Sequence, residues 1–296
     1  MAMRVATFAS SQSLLQAAMR IQVKEAEATT QQASGQVSDD YGGLGSKAGA
    51  VVSLQASVTR SKAYEEAANT ASNRVETMYN AVGSILDDLS DLKATLASST
   101  ASSNTLQESA KSTLESVVSL LNTQLDGRYL FGGSAVDAKP VDIDSIEGST
   151  ATSQDQLDYY QGDDQSTSVR VSSSRVISYG VTANDDSFRQ ALWAISTVAN
   201  GSTDSASVTN AIDLLTSSIS DIAGVQTKLS LDASDLNSAV SSQEDYQSDA
   251  ADMISNLSEV DITTVAANMS NYQAQLEAAY AAIGKIAKLS LASYLS

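Results

Sequence analysis

The chain has 296 residues, enough for one large domain or two to three smaller ones with a sizeable core. It contains no Cys and no His, which excludes a Ser-His-Asp triad, a Cys-His pair, thiolate or imidazole zinc sites and any disulfide framework. Lys and Arg number 17 against 35 Asp and Glu, a net charge of −18 that repels phosphate backbones and anionic lipid surfaces, so no nucleic-acid partner is expected.

The longest apolar runs span a few residues against the roughly 20 of a membrane-spanning helix, so no membrane insertion is expected. The first thirty residues carry Arg4, Arg20 and Lys24 but lack the apolar stretch of about 7 to 15 residues of a secretory signal. Taken alone, that predicts a cytosolic protein.

A single proline, Pro140, leaves long helices permitted almost everywhere. Phe8, Leu15 and Gln22, with Val5, Gln12 and Met19, form a short stripe that predicts a helix over 5–35. Gly42-Gly43-Leu44-Gly45 has no Gly-Lys-Ser/Thr after it and no strand before it, so it reads as a bend between helices rather than a phosphate loop. A heptad runs through Ser61, Ala68, Val75, Val82, Leu89 and Leu96, with Tyr64, Ala71, Met78, Ile85 and Leu92 beside it, predicting a helix over 50–97. At about 1.5 Å per residue that helix would be roughly 70 Å long, so a rod is expected.

Between 128 and 185 the helical period gives way to Tyr129-Leu130-Phe131, Leu157 to Gln161, Ser168 to Ser172 and Val176 to Val181, which read as strands. Gly132-Gly133 and Gly148 punctuate the stretch, and Gly162-Asp163-Asp164-Gln165 reads as a hairpin loop between two of the strands. A small β-rich insertion projecting from the side of the rod is expected over 135–185. Trp193 shares a short helix with Phe188, Leu192, Ile195 and Val198, where core packing is the ordinary role. Val208, Leu215, Ile222, Leu229 and Leu236, with Ile212, Ile219 and Val240, predict a long helix over 205–255. After Asp261 a last amphipathic helix sets Ile262, Met269, Leu276 and Ile283 beside Val265, Tyr272, Ala279 and Ile286.

The acid pairs Asp39-Asp40, Asp87-Asp88, Asp163-Asp164 and Asp185-Asp186 supply the carboxylates of glycosidase-like chemistry, but adjacent acids ordinarily mark solvated faces and helix starts. Asp142 and Asp144 suggest a calcium loop, yet Ile146 and Glu147 stand where that loop needs Asp or Asn and then Gly. No catalytic residue, metal site or cofactor is therefore expected. The apolar stripes lie at both ends of the sequence, where a lone helix is marginal in water. Phe8, Leu15, Met19, Ile262, Val265, Met269, Tyr272, Leu276, Ile283 and Ile286 are the candidate assembly interface, whose ordering would be coupled to contacts between copies.

Gln31 to Asp40, with its Ser34-Gly35 pair and Asp39-Asp40, resembles the bacterial flagellin superfamily, and Asn69 and Asn73-Arg74-Val75 follow in the expected order. Asp126-Gly127-Arg128-Tyr129-Leu130-Phe131-Gly132-Gly133, then Lys139-Pro140 and Tyr159 to Asp164, is similar to the branch that forms the hook-filament junction. So is the closing Leu289 to Leu295. Two departures stand out: Tyr41 and glycines follow Asp39-Asp40 where Pro or Ala is usual, and Leu89-Ser90-Asp91-Leu92-Lys93 lacks the arginine of many flagellins.

The resemblance implies a mainly α fold with a small β insertion: an elongated antiparallel helical bundle or coiled coil made from both chain ends. Its parts would be 1–35 and 261–296 for the terminal coiled coil, 36–134 and 186–260 for the rod, and 135–185 for the side domain. It implies a structural subunit of the flagellum, located extracellularly at the hook-filament junction and exported by the flagellar type III apparatus without a cleavable signal. This overrides the cytosolic expectation. Its partners would be other copies of itself, the hook-side junction protein, flagellin and an export chaperone. A filament flagellin, and a secreted flagellin-like protein with a binding or enzymatic insert, are the alternatives.

Overall fold

A heptad-spaced apolar row is stable as a helix only where another surface covers it, so the long seams require partners within the fold. The computed structural model describes residues 2–98, 101–147, 149, 151–201 and 203–295, with the side chains of 2–8, 287 and 289–295 left undescribed. Among the described residues seven α-helices follow in order: α1 Ala2–Ser34, α2 Ala48–Ala97, α3 Ser103–Leu121, α4 Ile143–Glu147, α5 Asp186–Ala199, α6 Ser205–Ser258 and α7 Ile262–Leu295. Four short strands, β1 Gln124–Leu125, β2 Arg128–Tyr129, β3 Thr167–Arg170 and β4 Val176–Tyr179, form two antiparallel two-stranded sheets. The mainly α class and the long helices match the sequence reading to within a few residues at their ends. Two compact units divide the chain, one of residues 1–59 with 247–296 and one of residues 60–246.

In the larger unit the α2 seam is buried throughout, with Ala68, Val75, Val82, Leu89 and Leu96 at the core. Leu215, Ile222, Leu229 and Leu236 of α6 join the same core. Polar contacts set α2 and α6 antiparallel: Ser61 Oγ donates to Gln243 Oε1 at 3.0 Å, and Ser72 Oγ to Asn237 Oδ1 at 3.0 Å. Farther along, a side chain at Gly83 would press on the Gln226 amide. Helix α3 doubles back along α2, where Ser116 Oγ donates to Asp88 at 2.6 Å, and packs on α5. Phe188 of α5 meets Phe131 edge-on at 6.2 Å, a geometry that suits the ring quadrupoles. Trp193 is half-buried beside it, while Leu192, Ile195 and Val198 are fully enclosed.

The non-helical stretch carries less strand than its sequence suggests. Asp126 and Gly127, both at positive φ, make the two-residue turn that joins β1 to β2, and Phe131 lies outside the strand. Leu157 to Gln161 is not a strand: its only bridge pairing among the described residues is Val141 with Tyr160. The hairpin is instead β3 with β4, so Gly162 to Gln165 is not its loop. Side chains replace ladders here. Asn122 both donates to the Val141 carbonyl at 2.9 Å and accepts from its N–H at 3.0 Å, serving as a one-residue strand partner. Asp163 accepts from the N–H groups of Ser134 at 2.8 Å and Gln165 at 3.0 Å and from the Ser134 hydroxyl. These bonds hold its carboxyl below the usual carboxylate range. A Cβ at Gly133 would collide with the Asp163 backbone, so this close approach, together with a positive φ, requires glycine.

Burial pushes the Tyr159 hydroxyl well above its ordinary value, and its O–H donates to the Ala183 carbonyl at 2.7 Å. Burial likewise raises Tyr160 to about 12, with its O–H on the Asp163 carbonyl at 2.7 Å. Both groups hold their protons more tightly when folded, so their contribution is intact below the unfolded value near pH 10 and falls as pH rises toward 12. Urea unfolding followed by Trp193 fluorescence is expected to show stability dropping between about pH 10 and about pH 12, with a smaller drop in Tyr160→Phe. In the same assay Phe188→Ala is expected to cost about 3–5 kcal/mol, as an emptied aromatic site does.

Candidate assembly surface

In the smaller unit α1 packs on α7. The crossing from α1 to the following segment is fixed by backbone: Gly35, at positive φ, ends the helix, and its carbonyl accepts from the Val260 N–H at 3.0 Å. Val37 N–H donates to the Ser258 carbonyl at 2.7 Å, and Gln31 Nε2 to the Val37 carbonyl at 3.0 Å. The glycine-rich bend turns on Asp40, whose carboxylate accepts from the Gly43 N–H at 2.7 Å. A side chain at Gly43 would occupy the place of the Ser38 hydroxyl. At the start of α7, Asp261 accepts from the Thr263 N–H at 2.9 Å and the Thr264 hydroxyl at 2.8 Å, which lowers its carboxyl from the ordinary value. Asp185 does the same work for α5 through the Ser187 N–H at 3.0 Å. Three of the acid pairs thus contain a turn or helix cap.

The α7 seam is covered as its spacing implies. Val265 and Leu276 are buried, and Met269, Tyr272, Ala279, Ile283 and Ile286 are half-buried in the same row. Met269 lies close enough to α1 for its sulfur to accept from the Thr29 hydroxyl at 3.7 Å. Ile262, before the seam, is exposed.

The α1 stripe read from the sequence is displaced by one position from the row that the fold buries. Leu14, Ala18, Ile21, Glu25 and Ala28 are the covered positions, with Ala18 and Ala28 fully enclosed. Leu15 and Met19 sit about 100° away around the helix and face solvent. Phe8 and Val5 belong to α1, but their side chains lie outside the described residues, as do Gly148 and the side chains of Leu289 to Leu295. Sequence reasoning passed over Val23 and Tyr280, which are also exposed; Val23 is one turn beyond Met19 and could have been found by following that face further. The outcome is a run of large apolar side chains in solvent: Leu15 at 45%, Met19 at 54% and Val23 at 59% on α1, with Ile262 at 54% and Tyr280 at 51% on α7. Among the described residues no cluster of His, Cys, Asp and Glu could hold a metal, and no helix is long and apolar enough to cross a membrane.

No family model matches the chain, and no curated protein does. Solved structures do. A protein from Vibrio parahaemolyticus assigned as a flagellar hook-associated protein aligns over 74% of this chain and 99% of its own, with a TM-score of 0.61 at 14% identity. The flagellar hook-associated protein-3 of Legionella pneumophila aligns over 69% of this chain and 98% of its own, with a TM-score of 0.54 at 12% identity. FlgL of Bacillus cereus aligns over 71% of this chain and 99% of its own, with a TM-score of 0.50 at 16% identity.

Two substitutions separate the covered row from the exposed one. Leu276→Ala is expected to remove most of the modest exchange protection of α1 and α7, whereas Leu15→Ala leaves that exchange within about 0.5 kcal/mol of the parent. Asp261→Ala is expected to fray the first turn of α7 while Asp261→Asn preserves it, because either Asp or Asn can accept from the N–H groups of that turn. With its folded value depressed, the Asp261 contribution should be present at neutral pH and lost as pH falls through that value, by the same exchange measurement. Both the architecture and the large share of each neighbour that is covered lead to one conclusion: this chain has the fold of the flagellar hook-associated proteins.

Proposed function

We propose that this chain is a structural subunit of the bacterial flagellum, a hook-filament junction protein that works by self-assembly and not as an enzyme. One observation carries the reading: α1 and α7 close on each other through a thin seam, while Leu15, Met19, Val23, Ile262 and Tyr280 remain in water. Five large apolar side chains on one helix pair are an unusual surface for a protein that works alone. Burying them at about 25 cal/mol per Å² would reward contact with a partner.

The partner is another copy of the chain, whose own α1–α7 pair offers apolar side chains in return. In this mechanism the helix pair is marginal in the isolated protein, and its ordering is completed as a terminal coiled coil when neighbouring copies stack. The candidate interface keeps Leu15, Met19 and Ile262 for contacts between copies, and Val265, Met269, Tyr272, Leu276, Ile283 and Ile286 for the seam within a copy. The sequence stripe adds Phe8 to the proposed contacts between copies. A hook-side junction protein and flagellin flank the stack, and an export chaperone shields the same apolar face before assembly. The rod and its side domain at 135–185 carry the spacing between these partners.

Immunogold labelling of intact flagella tests the location. Gold confined to one point just beyond the hook is the expected result; gold along the filament would favour a filament flagellin, and gold absent from flagella would end both readings. Leu15→Asp and Met19→Asp test the mechanism. Each is expected to keep the monomer's circular dichroism and its seam, yet to prevent incorporation at the junction, leaving filament protein shed into the medium. Strong exchange protection of residues 5–30 and 265–290 in a verified monomer would contradict the coupling of order to assembly.

A further inference from the structure

The larger unit contains a cavity of about 180 Å³ whose wall brings together Arg74 of α2, Arg128 of β2 and Lys228 of α6. Three cations in one hollow stand out in a chain with 17 Lys+Arg against 35 Asp+Glu. Among the described residues the ion pairs are Arg175 with Asp235 and Arg189 with Asp186, so none of the three cations has a carboxylate within pairing distance. The two carboxylates on the same wall are engaged elsewhere. Asp185 caps α5, and Asp164 accepts from Asn184 Nδ2 at 2.9 Å.

Two of the cations, Arg74 and Lys228, are held by hydrogen bonds yet keep donors to spare. Arg74 Nη1 reaches the Tyr179 hydroxyl at 3.4 Å, and Lys228 Nζ donates to the Gly180 carbonyl at 3.0 Å. Gly180 is fixed in turn, since its N–H donates to Asp232 at 3.0 Å and its positive φ suits glycine. Guanidinium and ammonium together offer more N–H groups than these bonds use.

We propose that this cavity binds a small hydroxylated monocarboxylate with the chemistry of a uronic acid. Its volume is below the roughly 300–1,000 Å³ of drug-sized sites, which limits the occupant to about one ring. The planar guanidinium of Arg74 can fork onto a carboxylate, and Arg128 and Lys228 add positive charge to the same wall. Because two carboxylates share the wall with three cations, a monoanion balances the charge, whereas a phosphate of charge about −1.5 to −2 would overfill it. Asp164 and Asp185 retain lone pairs for ligand hydroxyls, and Tyr129 and Tyr179 supply ring surface to the same wall.

The test is NMR of the full chain carrying ¹³C-labelled tyrosine, assigned with Tyr129→Phe and Tyr179→Phe, during titration with glucuronate, glucose and inorganic phosphate in parallel. Glucuronate is expected to shift the Tyr129 and Tyr179 signals in a saturable way, while glucose leaves them unmoved and phosphate binds more weakly. Arg74→Gln should weaken glucuronate about tenfold, the loss typical of a bond to a charged group. Arg128→Gln, on an exposed strand where folding is not at stake, should act in the same direction, and Arg175→Gln should change nothing. The proposal is overturned if glucuronate leaves both tyrosines unmoved at millimolar concentration, if phosphate binds as well, or if neither Arg74→Gln nor Arg128→Gln weakens binding.

Discussion

The apolar row of α2 from Ala68 to Leu96 is covered along its whole length, and the larger unit is organised around keeping it dry. A single row that long cannot be covered by one short element. It takes α6 running antiparallel on one side and α3 doubling back on another, with α5 closing over α3. The non-helical stretch contributes Phe131, Ile146, Leu157 and Tyr159 to the same buried cluster, so it is anchored by its side chains even where its backbone lacks a ladder. That is why Asn122 and Asp163 act as backbone substitutes there: a buried peptide group needs a partner, and without neighbouring strands the partner must be a side chain.

Charge plays a different part. With a net charge of −18 and two ion pairs among the described residues, salt bridges cannot be what holds the fold together. The carboxylates are used instead as acceptors for backbone N–H groups, at Asp40, Asp163, Asp185 and Asp261. Such bonds place the negative charge where turns and helix starts present unpaired donors. The excess of acids makes copies of the chain repel one another, which opposes their association.

Much of this was legible in the sequence because large apolar residues at heptad spacing report their own burial. The α7 seam from Val265 to Ile286 and the α2 seam from Ala68 to Leu96 stood out for that reason. In α1 the apolar spacing picked out Leu15 and Met19, assigned to contacts between copies, and passed over the row covered within the fold, which encloses Ala18 and Ala28, whose small side chains give little periodic signal yet allow close approach of two helices. In the middle stretch the loss of helical period was readable, but strand identity was not. Leu157 to Gln161 has strand-like side chains, and its alternation reflects two anchors, Leu157 and Tyr159, dropping into the core from an irregular backbone. The Asp126-Gly127 turn carried the stronger local signal, because those two residue types tolerate the positive φ that such a turn demands.

The inversion in α1 bears on what the smaller unit is for. A helix that packed for its own stability would put Leu15, Met19 and Val23 inward and leave alanines outside, since larger side chains return more on burial. This chain half-buries Leu14 and Ile21 beside the enclosed Ala18 and Ala28 and keeps Leu15, Met19 and Val23 in solvent. Like-charge repulsion between copies must be overcome by something short-ranged and insensitive to salt, and apolar contact is that kind of force. In the proposed assembly, an internal seam kept thin would let the helix pair adjust as neighbours arrive, because fewer buried contacts must be broken to move it. Contact with another copy in that proposed assembly would cover these exposed side chains.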